Sequence, residues 1–250
     1  MIKYELLNHT AVVSLNHPEK RNALNPEMIE KLKFQLKDID ENSFVKSVII
    51  TGGSEVFCAG ADLDYLNKLS LNSSIDNYND SRSLAELYLS IYELSKPTIA
   101  AVNGPAIAGG CGLASVCDFI IAHPEKSKFG YSEVKIGFIP AIVSIFLIKK
   151  VGEGLARQLL LESELINGNR AYEIGLVSYL SENVIDDSLK LSEKLNKNYS
   201  ESIKLTKKML NQISGLSVRE AVNQCINLNV ISRSTPDFKD GLNKFLKKDK

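Results

Sequence analysis

Two glycine-containing stretches of this chain have the residue types and spacing to present backbone amides to a ligand. Phe57-Cys58-Ala59-Gly60-Ala61-Asp62-Leu63 and Asn103-Gly104-Pro105-Ala106-Ile107-Ala108-Gly109-Gly110-Cys111-Gly112-Leu113 each follow a β-branched run, pass through small residues and open a helix. The N–H groups of a helix start have no carbonyl partner inside the helix and point outward. Two such groups converging on one point can hold an oxygen that takes up negative charge, as a thioester carbonyl does on becoming an enolate. Taken alone, each stretch reads first as a tight strand-to-helix turn, which is the usual work of glycine. Neither matches GxxxxGKS/T or GxGxxG, so a phosphate cradle is the weaker reading.

The third stretch is Phe129-Gly130-Tyr131-Ser132-Glu133-Val134-Lys135-Ile136-Gly137-Phe138-Ile139-Pro140. One carboxylate stands here among aromatic and aliphatic residues. Such surroundings raise a carboxyl pKa and suit Glu133 to move protons near neutral pH. The local sequence by itself equally describes an exposed loop carboxylate or a partner for Lys135, and that plainer reading comes first until the stretch is joined to the other two.

The elements that must position these residues are legible in outline. Ala11–Leu15, Val48–Thr51, Thr98–Val102 and Phe119–Ala122 are short β-branched runs that alternate with helical patterns, which predicts an α/β core. Met28, Ile29, Leu32, Leu36 and Ile39 recur at helical spacing over residues 26–39, with Asn25 as cap and Pro26 in the first turn. A second helix is expected over about residues 83–94. The polar run Leu71–Asp80 reads as a long mobile loop beside the first glycine stretch. From about residue 153 the pattern turns helical, with helices expected over 181–199, 202–213 and 217–231 and one short strand near 177–180. The last segment sets Phe238, Leu242, Phe245 and Leu246 on one stripe among lysines, so it must dock on something, a second subunit included. The most apolar run, Ile136–Ile148, is too short to span a bilayer and is broken by Gly137 and Pro140; it reads as buried or pocket-lining.

Composition removes several classes. With 250 residues, 44% of them hydrophobic, the chain can bury a large core, and 30 basic against 30 acidic residues leave no net field to attract nucleic acid or anionic lipid. Cys58, Cys111, Cys117 and Cys225 lack CxxC spacing and read as buried reduced thiols, while His9, His17 and His123 form no metal-ligand pattern. No metal is expected. The first residues carry no apolar signal-peptide core and include an early acidic residue, so the expected location is cytoplasmic and no membrane role is expected.

In this order the three stretches resemble the enoyl-CoA hydratase/isomerase (crotonase) family. The likeness runs from His17-Pro18-Glu19-Lys20-Arg21-Asn22-Ala23-Leu24 through Lys96–Gly104, Cys117-Asp118 and Asn169–Val177 to the C-terminal helix. It implies a crotonase-like α/β spiral of ββα units over residues 1–195, carrying the CoA and acyl site, and a helical region over 196–250 that assembles subunits into trimers or dimers of trimers. It implies an acyl-CoA thioester as substrate and no separate cofactor, coenzyme A being part of the substrate. Residue by residue, it makes Ala61 and Gly109 the oxyanion N–H donors and Glu133 the family's second catalytic glutamate. The position of the first glutamate is Gly112, which has no side chain to move a proton.

With one carboxylate, the resemblance implies reversible hydration of a 2-enoyl-CoA, with the pattern around Glu133 similar to methylglutaconyl-CoA hydratases of leucine breakdown and to polyketide β-branching dehydratases. The alternatives are a Δ3,Δ2-enoyl-CoA isomerase with Glu133 as sole proton shuttle, then a decarboxylase, and, from another class, a non-catalytic CoA- or RNA-binding protein using Lys204, Lys207, Lys208, Lys244, Lys247, Lys248 and Lys250. Those lysines read first as a solvated helix face. The adenine contacts implied are Ala59, Ala61, Asp62 and Leu63, with Lys20 near the phosphates, Gly110 and Gly112 in the substrate-binding turn, and Ile142, Val143, Ile145 and Phe146 shaping the acyl pocket. Glu153 is a candidate second acid, though a helix-terminal charge is the plainer reading.

Overall fold

The computed structural model describes residues 1–53 and 55–248, and of Lys248 only the backbone. The chain opens with an antiparallel pair, β1 (Ile2–Leu7) and β2 (Thr10–Leu15), turned at Asn8, whose φ of 53° suits a short polar side chain. A 3₁₀ turn at Pro18–Lys20 leads to α1 (Pro26–Glu41), which starts as its sequence predicts: Asn25 Oδ1 accepts the Met28 N–H and the five periodic apolar residues are buried. Then follow β3 (Ser47–Thr51), α2 (Leu63–Leu69), α3 (Ser74–Tyr92), β4 (Thr98–Val102), β5 (Ala106–Ile107), α4 (Gly109–Ser115), β6 (Phe119–Ala122) and β7 (Lys128–Gly130). A second 3₁₀ turn, Glu133–Ile136, precedes α5 (Ala141–Glu162), which is kinked at Gly152. The rest is β8 (Ile166–Asn167), α6 (Gly168–Glu173), β9 (Tyr179–Leu180), α7 (Val184–Asn196), α8 (Ser200–Ile213), α9 (Val218–Arg233) and α10 (Pro236–Lys248).

The larger sheet runs β1-β2-β3-β4-β6-β9 and is parallel from β2 onward; the smaller is β5-β7-β8. After each central strand the chain adds a piece to the smaller sheet and then a helix. Cys58, bridged to Ala106, follows β3 and precedes α2; β5 and α4 follow β4; β7 and α5 follow β6. That repeated step is the expected spiral of ββα units. Alternation of side chains sorts the core. Val13, Val48, Ile50, Ala100, Val102 and Ile120 join α1, α3 and α4 in the main cluster, whereas Val12, Ile49, Ile99, Ala101 and Ile121 join Val184 and the apolar side of α7.

Four expectations are corrected. Residues 71–80 are not a long loop, because Ser73 caps α3 by accepting the Asp76 N–H and the helix begins at Ser74. Its first two turns are polar and mostly exposed, so no apolar period marked them. Ile136–Ile148 is not wholly buried: Ile136, Phe138, Ile139, Ile145 and Ile148 are exposed in the single chain, while Val143, Phe146 and Leu147 are inside. Cys225 is half-buried, unlike the other three cysteines. The strands β1, β5, β7 and β8 add to those predicted; three of them are two or three residues long and have no period to read.

Candidate active site

The first glycine stretch is laid against the segment that follows the Pro18–Lys20 turn. Arg21 and Asn22 take left-handed angles, φ 53° and 56°, and Asn22 is held by donating Nδ2–H to the carbonyls of Gly52 and Val56. Ala59 N–H then donates to Arg21 O, Leu24 N–H to Gly60 O, and Asp62 N–H to Leu24 O. Gly60, at φ 89°, turns the chain between these bonds. The amide of Ala61 is left out of the ladder and has no acceptor among the described residues.

The second stretch packs directly on the first. Phe57 and Cys58 N–H donate to Pro105 O, and Ile107 N–H donates to Cys58 O. A β-carbon on Gly110 would lie 2.2 Å from Cys58 O, and one on Gly60 would lie 2.8 Å from Ile107 O and 3.5 Å from Gly109 N. Only hydrogen side chains permit this approach. The Gly109 N–H, at the start of α4, also has no acceptor among the described residues.

Glu133 reaches this place through the smaller sheet. β5 pairs with β7, Ala108 N–H donates to Gly130 O at 2.7 Å, and Glu133 follows three residues later. Its side chain is buried and Oε2 has no hydrogen-bond partner among the described residues. Burial raises its pKa above the ordinary carboxylate value, with its own amide opposing in part. Its charge is felt by Tyr88, Cys111 and Tyr131. Both phenols are held well above their usual pKa, chiefly by burial, and burial lifts Cys58 to about 12 and Cys111 higher still. The thiols therefore stay protonated and are no nucleophiles. The plainer local readings of Glu133, an exposed carboxylate or a partner for Lys135, do not describe it.

Other candidates fall as follows. Asp62 is nearly buried and caps α2 by accepting the Asp64 and Tyr65 N–H groups. Ala59 is half-buried and Leu63 exposed. Lys20 is an ion-pair partner of Asp64 and, at 3.6 Å, of Asp62, so its charge is largely matched within the protein. Gly110 and Gly112 are buried, and a β-carbon on Gly112 would stand 2.4 Å from Val143 Cγ1 and 2.9 Å from the Tyr88 hydroxyl. Ile142 is half-buried at the start of α5; Phe146 packs edge-on to Tyr88. Glu153 is exposed and paired with Arg157. Of the lysines considered for RNA, Lys207 is buried against Asp118, Lys204 pairs with Glu201, Lys244 with Asp240, and Lys250 lies outside the described residues. Among the described residues no group of histidine, cysteine, aspartate and glutamate could hold a metal, and no helix is long and apolar enough to cross a membrane.

Tyr88 is the site residue that sequence reading missed. It donates its hydroxyl to Gly109 O at 2.7 Å, yet in sequence it is one more apolar position of α3 beside Leu84, Leu87 and Ile91. No local signal separates it from core.

This geometry, two amides without acceptors among the described residues on abutting turns and a buried carboxylate three residues past the end of β7, which pairs with β5, can hold an oxyanion and move a proton. The family model described as Enoyl-CoA hydratase/isomerase matches residues 6–250. A protein of Thermus thermophilus, named provisionally as an enoyl-CoA hydratase, is 40% identical over 242 residues, covering 96% of this chain and 95% of its own. The 2,3-dehydroadipyl-CoA hydratase of Escherichia coli is 31% identical over 240 residues, covering 95% and 92%. Among solved structures, an enoyl-CoA hydratase from Polaromonas sp. JS666 superposes with a TM-score of 0.93 at 28% identity, covering 99% of this chain and 97% of that one.

Proposed function

The chain belongs to the enoyl-CoA hydratase/isomerase family, and we propose that it reversibly adds water across the double bond of a 2-enoyl-CoA. The observation that carries this reading is the buried Glu133 carboxylate, whose Oε2 has no partner among the described residues, three residues beyond the Gly130 carbonyl that holds the Ala108 amide next to Gly109. The thioester oxygen sits between the Ala61 and Gly109 amides. Glu133, ionised, takes a proton from a water as its oxygen bonds to C3, and the π electrons move onto the thioester oxygen. The protonated Glu133 then returns that proton to C2 as the enolate collapses, so one carboxylate delivers both parts of water. Names of relatives such as the 2,3-dehydroadipyl-CoA hydratase support hydration of a conjugated enoyl thioester. Coenzyme A enters as part of the substrate, with Ala59, Asp62 and Leu63 as its contacts and no separate cofactor.

Gly112 favours a second reading. With no first carboxylate, Glu133 alone suffices for a Δ3,Δ2 isomerase, lifting a proton from C2 of a 3-enoyl-CoA and returning it to C4. Turnover of crotonyl-CoA, 3-methylglutaconyl-CoA and a 3-enoyl-CoA by the purified protein separates these. Loss of conjugated-enoyl absorbance supports hydration, and its appearance from the 3-enoyl substrate supports isomerisation. Faster hydration of 3-methylglutaconyl-CoA than of crotonyl-CoA supports that narrower substrate. The exposed apolar stripe Val218, Val222, Ile226 and Val230 on α9, with Phe245 and Leu246 on α10, supports self-association as a trimer or dimer of trimers.

A further inference from the structure

The peptide that carries the Gly109 N–H begins at Ala108, whose backbone sits at φ 49°, ψ −116°. Those angles match the first central position of a type II′ turn, a conformation glycine adopts freely and alanine only under strain. Such a conformation persists where its surroundings over-determine it. Three hydrogen bonds do so here. Ala108 N–H donates to Gly130 O at 2.7 Å, Gly112 N–H donates to Ala108 O at 3.1 Å, and the Tyr88 hydroxyl donates to Gly109 O at 2.7 Å. The first two are backbone bonds; the third is a side-chain tether from a separate helix. Tyr88 is fully buried, its ring edge-on to Phe146 with centroids 6.1 Å apart. Its hydroxyl stands 2.9 Å from where a β-carbon at residue 112 would lie.

We propose that Tyr88 is a positioning residue for the oxyanion hole: its hydroxyl, carried by the packed α3, fixes the strained Ala108-Gly109 turn and so aims the Gly109 N–H at the thioester oxygen. It touches no reacting atom. An oxyanion donor acts through alignment on the developing charge, so loosening it weakens transition-state stabilisation more than substrate binding. The proposal rests on the oxyanion reading of the same site given above.

Tyr88→Phe keeps the ring and removes only the hydroxyl. Its kcat on crotonyl-CoA is expected to fall about tenfold, short of the roughly hundredfold or greater loss that follows removal of a whole donor, with KM within about twofold. Acetoacetyl-CoA, whose enolate resembles the intermediate, reads the hole without turnover. Titrated by enolate absorbance, the bound probe should favour the enolate about tenfold less in the variant than in wild type, a rise of about one unit in its apparent pKa. Adding Ala108→Gly to Tyr88→Phe should restore part of both losses, because glycine adopts this conformation without the strain that the tether offsets. Unchanged kcat and unchanged enolisation in Tyr88→Phe overturn the proposal and leave the hydratase reading standing. A loss that Ala108→Gly does not restore overturns it in favour of a general structural role. Wild type that binds acetoacetyl-CoA without favouring its enolate overturns both the proposal and the oxyanion reading.

Discussion

At the scale of single residues, Glu133 joins chemistry to stability. Burial raises its pKa in the folded chain, so the protonated form is the one the fold prefers. Its stabilising contribution is complete below the unfolded value of about 4.3 and is lost as pH climbs through the folded-state value. Glu133→Gln, which stays neutral, should therefore melt at higher temperature than wild type at pH 8, and the gap should close as pH falls toward 4; thermal melts across that range check it. A melt difference independent of pH would show that the carboxyl is not destabilised when charged. The same residue explains what sequence could and could not tell. Its position among Phe129, Tyr131 and Ile136 announced apolar surroundings, but whether the carboxylate was inside or outside depended on the β5–β7 pairing, which no local pattern revealed. Tyr88 was illegible for the opposite reason, since a buried tyrosine on an apolar helix face reads as packing whatever its hydroxyl touches.

At the scale of elements, the site is made by two turns that come closer than side chains would allow. Gly110 is the contact point, with Cys58 O 2.2 Å from where its β-carbon would stand. The crowding atom is backbone and cannot swing away. Gly110→Ala should push the α4 start off the first stretch, destabilising the fold by about 2 kcal/mol, within the usual range for overpacking, and lowering kcat more than it raises KM. Urea unfolding together with steady-state kinetics measures both. The alternation of β-runs with helices showed the central strands in advance, and Asn25-Pro26 showed the start of α1, because these are local signals. The start of α3 was hidden, since a polar, exposed helix end carries no apolar period and its Ser73–Asp76 cap lies in a serine-rich run that also suits a loop. The short strands of the smaller sheet exist only by virtue of their partners.

At the scale of the whole molecule, the C-terminal helices are fastened to the α/β core by charge as well as by packing. Lys207 on α8 donates to Asp118 Oδ2 at 2.7 Å and to Lys96 O at 3.1 Å, while Thr98 donates to the same carboxylate. Nearby, Lys150 donates to the carbonyls of Cys117 and Asp118, and Lys96 to those of Ile39 and Asn42. Lys207 is buried and Asp118 partly exposed, and removing one partner of such a pair costs more than a surface bridge and less than a fully buried one. Lys207→Met should thus cost about 2 kcal/mol in urea unfolding, between those limits; a cost under a few tenths would mean that apolar contacts alone hold the helices. The outer side of the same region is unpartnered in the single chain, with Val218, Val222, Ile226 and Val230 exposed along α9. Sedimentation should give a trimer or hexamer, and Val222→Glu with Ile226→Glu should shift it toward monomer.

In the proposed reaction one carboxylate performs both proton transfers on an enoyl thioester held by the Ala61 and Gly109 amides. The ratio of crotonyl-CoA hydration rates of wild type and Glu133→Gln, with CoA affinity measured alongside, decides whether Glu133 does so. In Glu133→Gln, kcat should fall by at least about a hundredfold, the contribution of a positioned acid-base group, with affinity unchanged. Hydration by Glu133→Gln within about threefold of wild type would contradict that reaction and assign the proton transfers to another group.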